Sequence, residues 1–172
     1  MKNVTAVVLA VFLVLGFACF ANAEELEYVT QQALVLHVDN GSRVILRFAN
    51  EVRPAKLKGV MASWKGAGGE CFTEDSRRYL AEMIQGKKVT IEWDSGDKFD
   101  KNGELLVYIS YYGEDVNAAI LKEGHGWVAH MYPADRKEAY IALERKAWEA
   151  KPKLGLWESC ADKEFLKPHI PQ

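Results

Sequence analysis

Five basic side chains, Arg47, Arg53, Lys56, Lys58 and Lys65, fall in one short stretch of the chain, and Trp64 stands beside the last of them. Guanidinium and ammonium groups gathered in this way could hold an anion or follow a phosphate backbone, and a neighbouring indole could stack on a base or a sugar ring. The plainer account is a solvated sheet face. The chain has 22 Lys and Arg against 24 Asp and Glu, a formal net charge of −2. That balance argues against a surface built throughout to neutralise phosphate, though it does not exclude nucleic acid. Tyr111 and Tyr112 are adjacent on a strand-like segment, so at least one of them faces outward and joins the stacking candidates. His125 and His130 flank Gly126-Trp127-Val128-Ala129, a strand-like spacing that puts them on opposite faces. With His37 and His169 they read as packed or exposed side chains rather than as a tetrahedral metal set.

These groups need a scaffold, and the first stretch of the chain is not part of it. Met1 and Lys2 precede an apolar run from Val4 to Phe20 that closes on Ala21-Asn22-Ala23. This is the layout of a secretory signal peptide cleaved after Ala23, leaving residues 24–172 as one domain without a membrane-spanning segment. A retained anchor would lack a reason for the Ala-x-Ala ending, and Gly16 is not the residue expected three positions before a lipidated Cys19. The expected location is the bacterial periplasm or the medium. In such a compartment Cys71 and Cys160 read as a disulfide, the alternative being two buried thiols.

Along the exported part, residues 24–48 read as strands, with turn chemistry at Asp39-Asn40-Gly41, and residues 53–61 as a further strand. Residues 64–70 form a Gly-rich loop. Thr73 is the expected N-cap of a helix whose apolar face is Tyr79, Leu80, Met83 and Ile84. Val89, Ile91 and Trp93 alternate with polar residues in a half-buried strand. Asp100-Lys101-Asn102-Gly103 turns into a strand over 105–111, and a short helix over 116–122 ends at Gly124. Asp135 and Glu138 resemble a capping box for a last, longer helix that ends near Pro152. Strands first and helices later make an α+β domain.

The order of these elements and six short signatures resemble the staphylococcal nuclease (thermonuclease) family. They are Val38-Asp39-Asn40-Gly41-Ser42, Lys56-Leu57-Lys58-Gly59-Val60, Gly86-Lys87-Lys88-Val89, Asp100-Lys101-Asn102-Gly103-Glu104, Val116-Asn117 with Leu121-Lys122-Glu123-Gly124, and Leu154-Gly155-Leu156-Trp157. The resemblance implies a five-stranded OB-type β-barrel with three α-helices, a fold that often binds oligonucleotides or oligosaccharides on one face. Active members are Ca²⁺-dependent phosphodiesterases acting on DNA and RNA, and their chemistry needs carboxylate ligands, a carboxylate near the attacking water, and arginines at the phosphate.

Carried over residue by residue, those roles fall on changed side chains. The two metal carboxylates correspond to Ser42 and Met61, the general base to Trp64, and the two arginines to Lys56 and Glu104. Met61 and Trp64 offer neither ligand nor base. Lys56 keeps charge without bidentate geometry, and Glu104 puts a negative charge where a positive one is needed. The expectation is a domain without hydrolytic activity and without a cofactor. Its cleft would bind nucleic acid, glycan or peptide through Trp64, Lys56, Lys58, Arg47, Lys65 and Tyr111. The alternative is a nuclease with a rearranged Ca²⁺ site, to which Asp39 and Glu70 would contribute.

Overall fold

The structure, a computed structural model, describes residues 28–62, 71–94 and 98–162. The expected signal segment, the Gly-rich loop with Trp64, Lys65 and Glu70, and His169 lie outside the described residues.

Alternation of buried and exposed side chains produces the strands. β1 (Tyr28–Asn40) and β2 (Arg43–Phe48) form an antiparallel hairpin about Gly41-Ser42, and β3 (Glu51–Leu57) continues antiparallel to β2. The expected strand over 53–61 is broken by a turn at Lys58-Gly59, after which β4 (Val60–Met61) leaves the sheet. Helix α1 (Thr73–Ile84) follows, then β5 (Lys88–Asp94), β6 (Leu105–Tyr111) and the two-residue β7 (Glu114–Asp115). Helix α2 (Val116–Lys122), the short β8 (Trp127–Val128), α3 (Lys137–Glu149) and α4 (Leu156–Ser159) complete the described chain.

The main sheet has the order β3-β2-β1-β5-β6-β7, and β3 also lies parallel to β6, with Ala55, Lys56 and Leu57 opposite Leu105, Leu106 and Val107. The five longer strands therefore curl until the first and last of them meet, an OB-like arrangement within an α+β domain. Val35, Val38, Val44, Leu46, Val89, Ile91, Val107 and Ile109 fill its interior, closed by Leu80 and Ile84 of α1 and by Ile120 and Leu121 of α2. A second cluster, Trp127, Ala147, Leu156, Trp157 and Cys160, sits where α3 and α4 meet β8. It is pinned by the expected disulfide, Cys71 to Cys160, with the Cα atoms 6.0 Å apart.

Two helix starts differ from expectation. Phe72, not Thr73, caps α1, in a left-handed conformation (φ 63°) that sets its ring 5.2 Å from His125. Thr73 lies inside the helix and is buried. The Asp135–Glu138 box does not form either. Asp135 accepts a hydrogen bond from the Tyr28 hydroxyl, its own N–H donates to the Tyr108 hydroxyl at 3.1 Å, and α3 begins after Arg136. Tertiary partners have taken the side chain that the local pattern assigns to the cap. The histidines do occupy separate places: His125 stacks on Tyr79 with ring centroids 4.0 Å apart, and His130 lies 3.1 Å from the buried Glu144 carboxylate.

Candidate functional site

The hairpin turn after β1, the β3–β4 turn and the segment from Phe99 to Glu104 surround a cleft of about 620 Å³. Its far wall is Ala129, Tyr132 and Pro133. Each wall is held by local chemistry. A Cβ at Gly41 would fall 2.5 Å from that of Ser76 and 2.8 Å from that of Ala62, so only glycine lets the hairpin turn pack on α1. The Ser42 N–H donates to the Asn40 side chain at 2.9 Å, and its carbonyl accepts from Leu57 N–H at 2.9 Å, tying the turn to the end of β3. The Asp100 carboxylate accepts from the backbone N–H groups of Asn102 and Glu104, at 2.8 and 2.9 Å, and so shapes its own turn.

Inside the cleft the charges alternate. Asp39 pairs with Arg43, whose guanidinium donates to Glu104 Oε1 from Nε at 2.9 Å and from a terminal nitrogen at 2.6 Å. Glu104 Oε2 lies 3.0 Å from the Lys56 ammonium, which in turn donates to Asp100 at 2.6 Å. Three carboxylates and two cations thus form one continuous chain of ion pairs. Both cations are already paired with carboxylates, and each carboxylate has a cation on it that a divalent metal would have to displace. Among the described residues, no three His, Cys, Asp or Glu side chains converge as a metal-binding set.

The protonation equilibria follow from these contacts. The Arg43 hydrogen bonds hold the Glu104 carboxyl below its ordinary 4.5, against the opposing effect of burial and with help from Lys56. Burial works against the Asp100 carboxylate, but Lys56 and the two turn N–H groups outweigh it and hold that carboxyl below 3.8. Burial likewise opposes charge on Lys56, and the two carboxylates overcome it and raise the ammonium above 10.5. A lowered carboxyl stabilises the fold fully above its ordinary value, and that contribution is lost as the pH falls through the lowered one. A raised ammonium contributes fully below 10.5, and that share is lost as the pH rises through its raised value. Urea unfolding should therefore show the stability gap between the parent and Lys56→Met to be widest near pH 6 and to narrow toward about pH 3. A gap as wide at pH 3 as at pH 6 would mean that Lys56 matters by packing alone.

Of the residues named from sequence, Ser42, Lys56, Lys58, Met61 and Glu104 do come together around this cleft. Three expectations are corrected. Lys58 is not solvated: it is 3% exposed, with its ammonium 3.8 Å from Asp135 and over the Tyr108 ring. Arg47 is exposed on β2 outside the cleft walls, and Arg53 pairs with Glu51, so the basic stretch does not make one surface. Tyr111 lies in a different depression, with Lys87, Lys88 and Tyr112. Asp39 does reach the charge chain through Arg43, whereas Trp64, Lys65 and Glu70 are outside the described residues. Sequence reasoning passed over Arg43. The signal was its place directly after Ser42 in the hairpin turn, which puts a long cation beside that position.

The comparisons with known proteins agree with this architecture. The family model described as staphylococcal nuclease homologue matches residues 52–159. The SPbeta prophage-derived endonuclease YokF of Bacillus subtilis is 36% identical over 88 residues, half of this chain and 29% of that protein. Endonuclease YncB of the same organism is 38% identical over 88 residues, again half of this chain and 41% of the relative. An uncharacterized protein of Bacillus anthracis is 30% identical over 131 residues, 74% of this chain and 61% of the relative. The matched region thus spans less than half the length of either endonuclease.

Proposed function

Because the chain belongs to the staphylococcal nuclease homologue family, we propose that it is an exported member that has given up phosphodiester hydrolysis and keeps the cleft for binding. The observation that supports this reading is the chain of ion pairs from Asp39 through Arg43, Glu104 and Lys56 to Asp100. Phosphoryl chemistry needs positive groups free to meet charge that develops in the transition state. Here Glu104 occupies both cations, and Met61 in the cleft lining offers no carboxylate for a metal. The cleft ligand is a nucleic acid, glycan or peptide segment lying between the charge chain and the apolar side chains of Leu57, Met61 and Phe99. The Cys71–Cys160 bridge is what a protein working in an oxidising compartment would carry.

The second reading, a nuclease whose Ca²⁺ site is rebuilt from Asp39 and Glu70, is favoured by the names of the two Bacillus subtilis relatives. One assay separates them. The purified protein is incubated with single-stranded DNA and RNA, with Ca²⁺ or with EDTA, beside an active family member. On the proposed reading it cleaves slower by at least a factor of about 10³, since losing even one such electrostatic group costs about 10² to 10³. Chelator-sensitive cleavage close to the active member's rate would make the second reading correct.

A further inference from the structure

The outer face of β1, β5 and β6 carries a second depression, of about 480 Å³, away from the cleft. Its floor is a cross-strand row: Gln32 is the register partner of Thr90, and Thr90 of Ser110. The Gln32 amide donates to the Thr90 hydroxyl at 2.7 Å. Lys88 rises on one side, exposed and in no ion pair among the described residues, and no carboxylate lines the site. Lys87 donates to the Glu82 and Met83 carbonyls at the end of α1, at 2.9 and 2.7 Å, and from there sits over the Tyr111 ring.

Tyr112, two residues past Ser110 as Lys88 is two before Thr90, lies toward the same end of that row. It is 90% exposed and lies against Tyr111, with ring centroids 4.4 Å apart. Its backbone is left-handed (φ 50°) and is followed by Gly113 (φ 85°) in the turn between β6 and β7. A turn with positive φ at both central residues selects Asn-Gly, Asp-Gly or Gly-Gly, and a tyrosine there works against local preference without gaining burial. An exposed aromatic held in a disfavoured backbone, beside a free ammonium and a row of hydroxyl and amide groups, needs a partner to explain it.

We propose that this face is a binding site for single-stranded nucleic acid, with a base stacked on Tyr112, a phosphate on Lys88, and base or sugar edges on Gln32, Thr90 and Ser110. The chemistry matches on each count: a ring for a π face, a cation in no ion pair among the described residues for phosphate, and short polar groups beside them. The site is independent of the cleft and survives whichever way the cleavage assay falls.

Fluorescein-labelled oligothymidylate of ten nucleotides is titrated into the full chain at low salt in EDTA, read by anisotropy. Tyr112→Ala should weaken binding by about 5-fold or more, the loss of one stacked base. Lys88→Glu should weaken it similarly and make the salt dependence shallower. Lys122→Glu, the same charge change on α2, should leave binding within about twofold, because Lys122 does not line this face. Tyr112→Asn supplies a fold control: it should raise the melting temperature, as a better turn residue, while binding as weakly as Tyr112→Ala. Absence of binding to the parent overturns the proposal. So does binding that all of the Tyr112 and Lys88 variants retain, which would put the strand elsewhere, the cleft included. Equal affinity for polyglutamate, or for a sulfated oligosaccharide, with Tyr112→Ala silent, would reduce the face to an unspecific cationic patch and overturns it too.

Discussion

Replacing Asn117 with Leu should lower the free energy of unfolding by about 3 to 5 kcal/mol, a large part of what holds a small domain together. Asn117 is fully buried at the start of α2. Its side-chain carbonyl accepts from Ile109 N–H at 3.0 Å, and its amide donates to the carbonyls of Lys58 and Val107, at 3.0 and 3.1 Å. One side chain therefore ties the helix to β6 and to the turn that breaks β3 from β4. Leucine fills similar space but leaves those backbone groups short of partners in a dry interior, at about 1 to 3 kcal/mol each. Asn117→Asp makes a sharper test. It keeps the acceptor and, when ionised, sets a negative charge against two carbonyls, so it should be worse than leucine at pH 7. Protonation restores one donor, so it should recover part of its loss in mild acid. Denaturant melts at two pH values decide the matter, and a loss under about 1 kcal/mol for the leucine variant would mean that water or backbone movement replaces the amide.

Removing the disulfide should cost about 4 to 5 kcal/mol in the chain-entropy view, because the bridge closes a loop with a sequence separation of 89. The suitable variant is Cys71→Ala with Cys160→Ala. Cys160 is wholly buried among Trp127, Ala147, Leu156 and Trp157, where a serine hydroxyl would add a desolvation cost unrelated to the crosslink. The effect should appear first at the end of the chain. Helix α4 has only four residues and rests on the second apolar cluster, so hydrogen exchange there should quicken before the main sheet loosens. Melting of the parent with and without dithiothreitol should reproduce the double variant's loss. A melting point unmoved by reductant would show that packing around Trp157 suffices without the covalent tie.

What could be read in advance divides along a physical line. β5, β6 and α2 declare themselves because Val89, Ile91 and Trp93 alternate, and because Val116, Ile120 and Leu121 recur at helical spacing; burial of one face is a local property of the pattern. The helix starts at Phe72 and Arg136 do not, since Thr73 and Asp135 satisfy the local capping rule, whereas Phe72 packs on His125 and Asp135 is held by Tyr28 and Tyr108, partners far along the chain. The charged centre of the cleft was half visible. Ser42, Lys56, Met61 and Glu104 follow from motif order, but the pairing of Arg43 with Glu104 and of Lys56 with Asp100 joins residues that only the curl of the sheet brings together. Glu144 makes the same point from inside a helix. A glutamate on an amphipathic pattern reads as solvent-facing, yet it is buried, its carboxyl raised by desolvation, and it accepts from Val128 N–H at 2.8 Å.

The parallel meeting of β3 with β6 bears on how the molecule behaves in company. An open sheet offers a row of unpaired N–H and C=O groups on which another chain can add a strand, the usual seed of aggregation. Here each outer strand satisfies the other across Ala55, Lys56 and Leu57. Beyond that junction β3 continues as Glu51, Val52, Arg53 and Pro54, two charges and a residue with no donor, and the far end of the order is the two-residue β7. Neither margin gives a neighbouring copy a long, flat template. That geometry gives the protein a resistance to strand exchange that no single contact supplies.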